Sequence, residues 1–346
     1  MGERKMRRVV RALLGGTVAG LLAIGGAAPA AGAATASASC TKATNIEAIV
    51  DDSISMEFTD SSRLRVQAMN LLIDTLGSGT QLGAVEFGSA GYENNPPAAD
   101  TLFPPEAVGA NGSAMRTALD QKIHADNGAT DYNGAFAQAD ADNPSADARI
   151  FLTDGGHDVD TYNEAHLVHN VRTYVIGFGG IAAGEDQERL KKIASDGGGR
   201  YFPLEDSAQL QSVMNTIEAA LTCQTPPRQF TDLLAKGKSK THSVAIGANT
   251  KSIQITLTWT SPLDKFKLSG LKLTNKGRLL AVAARRGKVH KPGKLKVSRK
   301  VSSTFTVLQV SHLHKGQLSF RVKAAKVGSG EPKVSLTTQV SQSARK

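Results

Sequence analysis

The chain has 346 residues, with 41 Lys and Arg against 31 Asp and Glu, a formal net charge of +10 and two cysteines. A length of this order suits two domains. Beyond the N-terminal segment no run is apolar enough to span a bilayer, which excludes a chain threaded repeatedly through a membrane.

The N-terminal segment reads as an export signal. Arg4, Lys5, Arg7, Arg8 and Arg11 make a positive start, an Ala/Gly/Leu-rich run follows, and small-residue sites such as Ala31-Gly32-Ala33 or Ala36-Ser37-Ala38 end it. Residues 1–38 are expected to be a cleaved signal peptide rather than a retained anchor. The Arg7-Arg8 pair leaves both the general and the twin-arginine export routes open. The mature chain is expected outside the cell, free or associated with the cell wall.

Charge is unevenly spread. Residues 40–223 hold 11 Lys and Arg against 27 Asp and Glu, whereas residues 224–346 hold 25 against 3. An acidic part is thus followed by a basic one. Thr225-Pro226-Pro227-Arg228 marks the seam, because Pro-Pro cannot continue a helix. The expected organisation is a signal peptide over 1–38, a first domain over 40–224 and a second over 229–341. Opposite charge gives the two a reason to attract each other.

Cys40 precedes the first strand and Cys223 ends the last helix of the acidic part. An exported chain with one possible pair is expected to form it. Closing so long a loop is worth about 5 kcal/mol in the chain-entropy model. The rival reading makes Cys40 a lipidated N-terminus, but Ser37-Ala38-Ser39 lacks the leucine three residues upstream that a lipobox carries.

In chain order, the acidic part opens on an apolar strand through Ile49-Val50 that runs into Asp51-Asp52-Ser53-Ile54-Ser55. Leu64, Ala68, Leu71 and Leu72 fall at helical spacing and predict a helix over 62–76, stopped by Gly77-Ser78-Gly79. Leu82–Phe87 reads as a strand. Residues 88–112, with Asn95-Pro96-Pro97, read as a long loop with room for a short excursion, and residues 113–123 as a helix. Asn127–Asn133 is a turn that opens into a helix over 134–139. Arg149–Leu152 is a buried strand ending at Thr153-Asp154-Gly155-Gly156. Val171–Phe178 is another strand, 190–194 a helix and 200–202 a short strand. Leu210, Val213, Met214, Ile217 and Leu221 mark a last amphipathic helix. Strands alternating with helices predict the α/β class: a doubly wound, mainly parallel sheet with helices on both faces. Such sheets bind ligands beyond the carboxyl ends of their strands.

Asp51, Ser53 and Ser55 are spaced i, i+2, i+4. On a strand that has just ended this turns all three side chains to one side. One carboxylate and two hydroxyls make an oxygen-only set, suited to a hard cation such as Mg²⁺ rather than to zinc. Asp154 stands at the end of a second apolar strand, and Thr130 lies in a loop between them in sequence. Each fragment alone is a common turn or strand exit.

Together, D-x-S-x-S followed by Met56, then Gly128-Ala129-Thr130-Asp131-Tyr132-Asn133, then Phe151-Leu152-Thr153-Asp154-Gly155 resemble the von Willebrand factor type A family. The likeness runs from about Thr41 to Cys223 and includes Ile176-Gly177-Phe178-Gly179 and Gly197-Gly198-Gly199-Arg200-Tyr201-Phe202. It implies a metal-ion-dependent adhesion site. Ser53 and Ser55 would bind Mg²⁺ directly, Thr130 would do so in the ligand-competent state, and Asp51 and Asp154 would act largely through water. Manganese and calcium are the alternative ions. The implied partner is a protein presenting an Asp or Glu carboxylate. Asp52 departs from the family pattern, where small residues are common; an extra carboxylate there is expected to tighten metal binding or to weaken an acidic partner's approach. Ala129 replaces a frequent glycine.

Other signals carry less. Gly177–Ala182 fits G-x-G-x-x-A but is not on a first βαβ unit followed by an acid, so a structural turn is expected. His166 and His169 read as exposed residues with a surface zinc site as the minor reading, and His312 and His314 as solvated residues on one strand face. Asp158-Val159-Asp160 lacks the rest of a calcium loop. No G-x-S-x-G elbow exists and no nucleophile is paired with a base, so no enzyme is expected.

In the basic part, Ile253, Ile255, Leu257 and Trp259 alternate with polar residues, and Phe305/Val307, Leu318/Phe320/Val322 and Val334/Leu336 repeat the pattern. Turns at Asn275-Lys276-Gly277, Pro292-Gly293 and Gly328-Ser329-Gly330 separate them. The expectation is an antiparallel β-sandwich with Trp259 in its core. Trp259–Asp264 and the strand His314–Val322 resemble the pre-peptidase C-terminal domains of secreted bacterial proteins. Some of those bind calcium through paired aspartates; Asp264-Lys265-Phe266-Lys267 lacks the second acid, so no calcium is expected. The excess of cations suggests adhesion to a polyanion such as a cell-wall polymer, an acidic glycan or DNA. No specific nucleic-acid motif is present, and the scarcity of aromatic residues argues against a base-stacking platform. The function expected is metal-dependent protein binding and adhesion, with polyanion binding through the basic part as the alternative.

Overall fold

The computed structural model describes residues 40–88, 99–124, 128, 130–157, 168, 171–178, 184–204, 209–224, 227–283, 293–328, 330 and 332–344. The expected signal peptide, Ala129, Asp158, Asp160, His166, His169 and the 179–182 turn lie outside the described residues. Residues 41–346 form one compact unit. No helix among the described residues is long and apolar enough to cross a membrane.

The acidic part is a six-stranded sheet in the order β3-β2-β1-β4-β5-β6. Its strands are β1 (Asn45–Asp51), β2 (Gln81–Phe87), β3 (Ala99–Ala107), β4 (Ala148–Thr153), β5 (Arg172–Gly177) and β6 (Arg200–Pro203). All neighbours run parallel except β3, which pairs antiparallel with β2. The central strands are apolar on both faces, as a sheet covered on both sides requires. From β1, Ile46, Ala48 and Val50 face one core with α2 (Leu64–Thr75), α3 (Val108–Lys122) and α6 (Leu210–Leu221). Ile49 faces the other, with Phe136 of α4 (Tyr132–Asp142) and Leu190 of α5 (Glu185–Asp196).

The predicted loop over 88–112 is the one substantial correction in this part. Residues 99–107 form edge strand β3, and α3 starts at Val108, five residues before the predicted start. Pro104-Pro105 hid the strand, because proline lacks a ladder donor and is tolerated only at an edge. Gly109 hid the helix start. A Cβ there would lie 2.6 Å from Ser78 Cβ, so the helix can approach the 77–79 turn only with glycine at that position.

The basic part forms nine hydrogen-bonded strands in the order β7-β15-β9-β13-β12-β11-β10-β14-β8. They are β7 (Arg228–Leu234), β8 (Ser239–Ile246), β9 (Thr250–Thr258), β10 (Lys265–Asn275), β11 (Arg278–Ala283), β12 (Gly293–Val301), β13 (Phe305–Ser311), β14 (Gly316–Lys326) and β15 (Val334–Ala344). Every pairing is antiparallel except β11 with β12. The ribbon folds over a single core in which Trp259 packs on Phe266 at 5.3 Å. Its two end strands meet through the buried pair Asp232 and His242, 2.6 Å apart. His312 and His314 lie beyond the end of β13, not on a strand face, and His312 has a left-handed φ of 59°. Both cysteines are disulfide-bonded and neither is free.

Among the described residues, hydrogen bonds of side-chain amides join α6 of the acidic part to the strands and strand ends of the basic part. Asn215 donates to Gln339 (2.6 Å), Gln211 to Thr304 (2.9 Å), Gln254 to Glu218 (3.0 Å), and Gln339 to the Ser212 carbonyl (3.0 Å). Leu71 of α2 packs with Phe305 and Val307 of β13. At the rim, Lys300 pairs with Asp74 at 3.4 Å.

Candidate metal centre

The expected site residues lie where β1 and β4 end, at the carboxyl edge of the parallel sheet. Past β1 the chain turns through Ser53–Ser55 into the one-turn α1 (Met56–Thr59). This turn is held by neighbours on both sides. The Asp52 N–H donates to the Phe87 carbonyl (2.7 Å), and the Ile54 N–H to the Gly128 carbonyl (3.4 Å). Gly88, just past β2, makes the first closure feasible. Its φ is +144°, and a Cβ there would lie 2.5 Å from the Ser53 nitrogen.

Within the turn, Ser53 donates from its N–H (2.8 Å) and its hydroxyl (2.5 Å) to Asp51 Oδ1. Ser53 and Ser55 hydroxyls are 3.1 Å apart, and Ser55 Oγ donates to Asp154 Oδ1 at 2.7 Å. A Cβ on Gly155 would stand 3.8 Å from Thr130 Oγ1, which places the buried Thr130 hydroxyl beside the Asp154–Gly155 bend. The structure thus links Asp51, Ser53, Ser55 and Asp154 by hydrogen bonds and places Thr130 beside Gly155, the residue after Asp154.

Several residues that the sequence reading passed over support them. Thr59 donates its hydroxyl to Asp154 Oδ2. Thr153 donates to Asp51 Oδ2 at 2.6 Å, and Tyr132 donates to the Gly155 carbonyl at 2.5 Å while lying 3.2 Å from Thr153 Oγ1. His157, its side chain buried, accepts the Tyr132 N–H on Nδ1 at 3.0 Å. Asp131 caps α4 by accepting the Gly134 N–H at 3.1 Å. Thr153, Tyr132 and His157 were within reach of sequence reasoning, since they abut the motif residues. Thr59 and Gly88 carry no local signal.

Asp52 is not the free carboxylate beside the site that the sequence suggested. Arg65, fully buried, places Nη2 3.0 Å from Asp52 Oδ1 and Nη1 3.1 Å from Asp60 Oδ2. Asp60 also accepts the Leu64 and Arg65 N–H groups at the start of α2 (2.7 and 2.9 Å). The extra acid is held in an internal ion triad in which one guanidinium serves two carboxylates.

Asp51 and Asp154 differ from Asp52 in one respect. Neither pairs with a basic side chain among the described residues. Burial, with the charge of Asp154 as the next cause, pushes the Asp51 carboxyl up to about 7. Two neighbouring carboxylates without a basic partner among the described residues, beside the Ser53 and Ser55 hydroxyls, fit a small hard cation, which would favour the charged form of Asp51. No group of three or more His, Cys, Asp or Glu that could hold a metal occurs among the described residues. The donor set here is hydroxyl-rich instead, which suits Mg²⁺ better than Zn²⁺.

A doubly wound parallel sheet whose strand ends gather carboxylates and hydroxyls in this order defines an A-type α/β domain. Residues 45–216 match the sequence profile of the von Willebrand factor type A domain, and that stretch is a von Willebrand factor type A domain. Direct comparison with curated protein sequences gives no match. The solved structures similar to this chain include a von Willebrand factor type A protein from Catenulispora acidiphila, at 18% identity and TM-score 0.42 over 87% of this chain and 62% of that one. Proximal thread matrix protein 1 of the mussel byssus, described with a zinc-occupied MIDAS motif, aligns at 18% identity and TM-score 0.41 over 57% of this chain and 51% of that one. The pilus adhesin SpaC from Lactobacillus rhamnosus GG, in an open conformation, aligns at 11% identity and TM-score 0.42 over 86% of this chain and 43% of that one. This chain thus spans less than two thirds of each of these proteins.

Proposed function

We propose that this is a secreted adhesion protein whose A-type domain, spanning 40–224, binds a protein partner through a divalent cation. The ion is Mg²⁺, with Mn²⁺ and Ca²⁺ as substitutes. Ser53, Ser55 and Thr130 hold it through their hydroxyls, and Asp51 and Asp154 support it largely through water. One observation carries the reading: Asp51 and Asp154 lack any basic partner among the described residues, while the neighbouring acids Asp52 and Asp60 share Arg65. Neutral hydroxyls cancel little of a divalent charge, so the ion stays attractive to an acid from outside.

The surroundings of the site suggest more about that acid. Ile54, between the two serines, is 51% exposed, and Phe58, one turn on, is 82% exposed. Large apolar residues this exposed mark interaction surfaces when they cluster. The partner therefore presents an Asp or Glu beside an apolar side chain.

The test is capture of partners from the producing organism's surface extract at matched ionic strength, with Mg²⁺ or with EDTA. The reading predicts a protein retained with Mg²⁺, lost with EDTA, and not captured by Asp51→Ala. Capture that is the same in all three conditions would overturn it.

A further inference from the structure

We propose that the basic part carries a separate binding site for a carboxylate-bearing sugar unit of an acidic polysaccharide. The site is a cavity of about 580 Å³ between β10 and the corner joining β12 to β13. That volume falls in the usual range for a small-ligand site, about 300–1,000 Å³.

Three cations stand on the lining: Lys265 and Lys267, two apart and both exposed on β10, and Arg299 on β12. Among the described residues no Asp or Glu lines the cavity. The nearest acid in sequence, Asp264, is buried and accepts the Gly328 N–H at 2.7 Å. Arg299 is held in place because Nη2 donates to the Leu268 carbonyl at 2.6 Å, and Nη1 has no hydrogen-bond partner among the described residues. A fixed guanidinium beside two lysines is a carboxylate receptor.

The rest of the lining selects among anions. Val301, 66% exposed, offers aliphatic surface over the buried rings of Trp259 and Phe266. Ser302 and Ser303 supply hydroxyls at the corner. A sugar ring has C–H faces for the first and hydroxyls for the second. A nucleobase needs an open aromatic face, and Trp259 and Phe266 are only 4% and 5% exposed. The site narrows the general expectation of polyanion binding to one pocket, and it is independent of the metal reading.

Trp259 is the chain's only tryptophan, so its fluorescence reports on this cavity. The exported chain is titrated, in EDTA throughout, with a short oligogalacturonate, with the uncharged galactose oligomer, and with a single-stranded oligodeoxynucleotide of equal charge. The oligogalacturonate alone is expected to give a saturable change in Trp259 emission. Lys265→Gln with Lys267→Gln should weaken it about tenfold or more, a loss typical of charged hydrogen bonds. Lys251→Gln with Lys315→Gln removes the same charge from exposed positions at the start of β9 and just before β14, at the strand ends opposite the cavity, and should change affinity less than about twofold. Equal losses from the two double variants would show diffuse charge instead of a pocket and overturn the proposal. So would equal affinity for the uncharged oligomer, or tighter binding of the oligonucleotide.

Discussion

Ser55 Oγ donates a hydrogen bond of 2.7 Å to Asp154 Oδ1, tying the exit of β1 to the exit of β4 across 99 residues of chain. Thr59 donates to the other oxygen of the same carboxylate. Asp154 is thus oriented from both sides by the turn that carries the serines and by α1.

Thr59 is therefore a positioning residue. Thr59→Val keeps the shape and removes the donor, so Asp154 loses one of its two hydroxyl partners. Mn²⁺ affinity, followed by the free-ion electron paramagnetic resonance signal, should fall about tenfold, the weight of one outer hydrogen bond at a metal site. The melting temperature should stay near that of the parent, and Thr59→Ser should restore affinity.

The ion triad of Asp52, Arg65 and Asp60 is a structural device. Arg65→Met leaves two buried carboxylates without a cation and should cost about 3–5 kcal/mol in urea denaturation. Asp52→Asn should change metal affinity far less than Asp51→Asn, because Arg65 already answers the Asp52 charge. Equal effects of the two would contradict that.

Glu218 of α6 is buried at the junction with β9 and accepts from Gln254 at 3.0 Å. Burial raises its carboxyl from 4.5 to about 7. Between those values the folded chain holds a proton that the unfolded chain has released, so the contribution of Glu218 to stability is full below about 4.5 and is lost as pH rises through about 7. Glu47, raised to about 8, acts with the same sign. Glu218→Gln keeps an acceptor for Gln254 and removes the titration. The variant should therefore gain melting temperature over the parent at pH 8 and little at pH 4. An advantage that does not vary with pH would speak against the assignment.

Under the proposed function the exposed Phe58 and Ile54 side chains meet the partner. Phe58→Ser should leave Mg²⁺ affinity unchanged and weaken capture of the partner severalfold, read by surface plasmon resonance at constant Mg²⁺. A change in Mg²⁺ affinity would instead place Phe58 in the support of the metal turn.

Much of this was legible in the sequence where chemistry and periodicity agree. Asp51, Ser53 and Ser55 sit at the end of an apolar strand, where the structure links them by hydrogen bonds to Asp154 at the end of the adjacent one. The alternation from Ile253 to Trp259 likewise gives a strand. What escaped depends on contacts made across the fold. β3 is masked by Pro104-Pro105, which only an edge position tolerates. The fate of Asp52 depends on Arg65, which reaches it from the next helix. The junction of α6 with the basic part uses Asn215, Gln339, Gln211 and Gln254, amides with no sequence pattern, where charge balance alone suggested an ionic attraction.

The central claim is that three separated segments share one divalent ion. Calorimetric titration of the exported chain with Mg²⁺, beside Asp51→Ala and Thr130→Ala, tests it most directly. The account predicts one ion per chain in the parent and loss of binding in both variants, each still folded by circular dichroism. Mg²⁺ affinity unchanged in both variants, or no uptake by the parent, would contradict it.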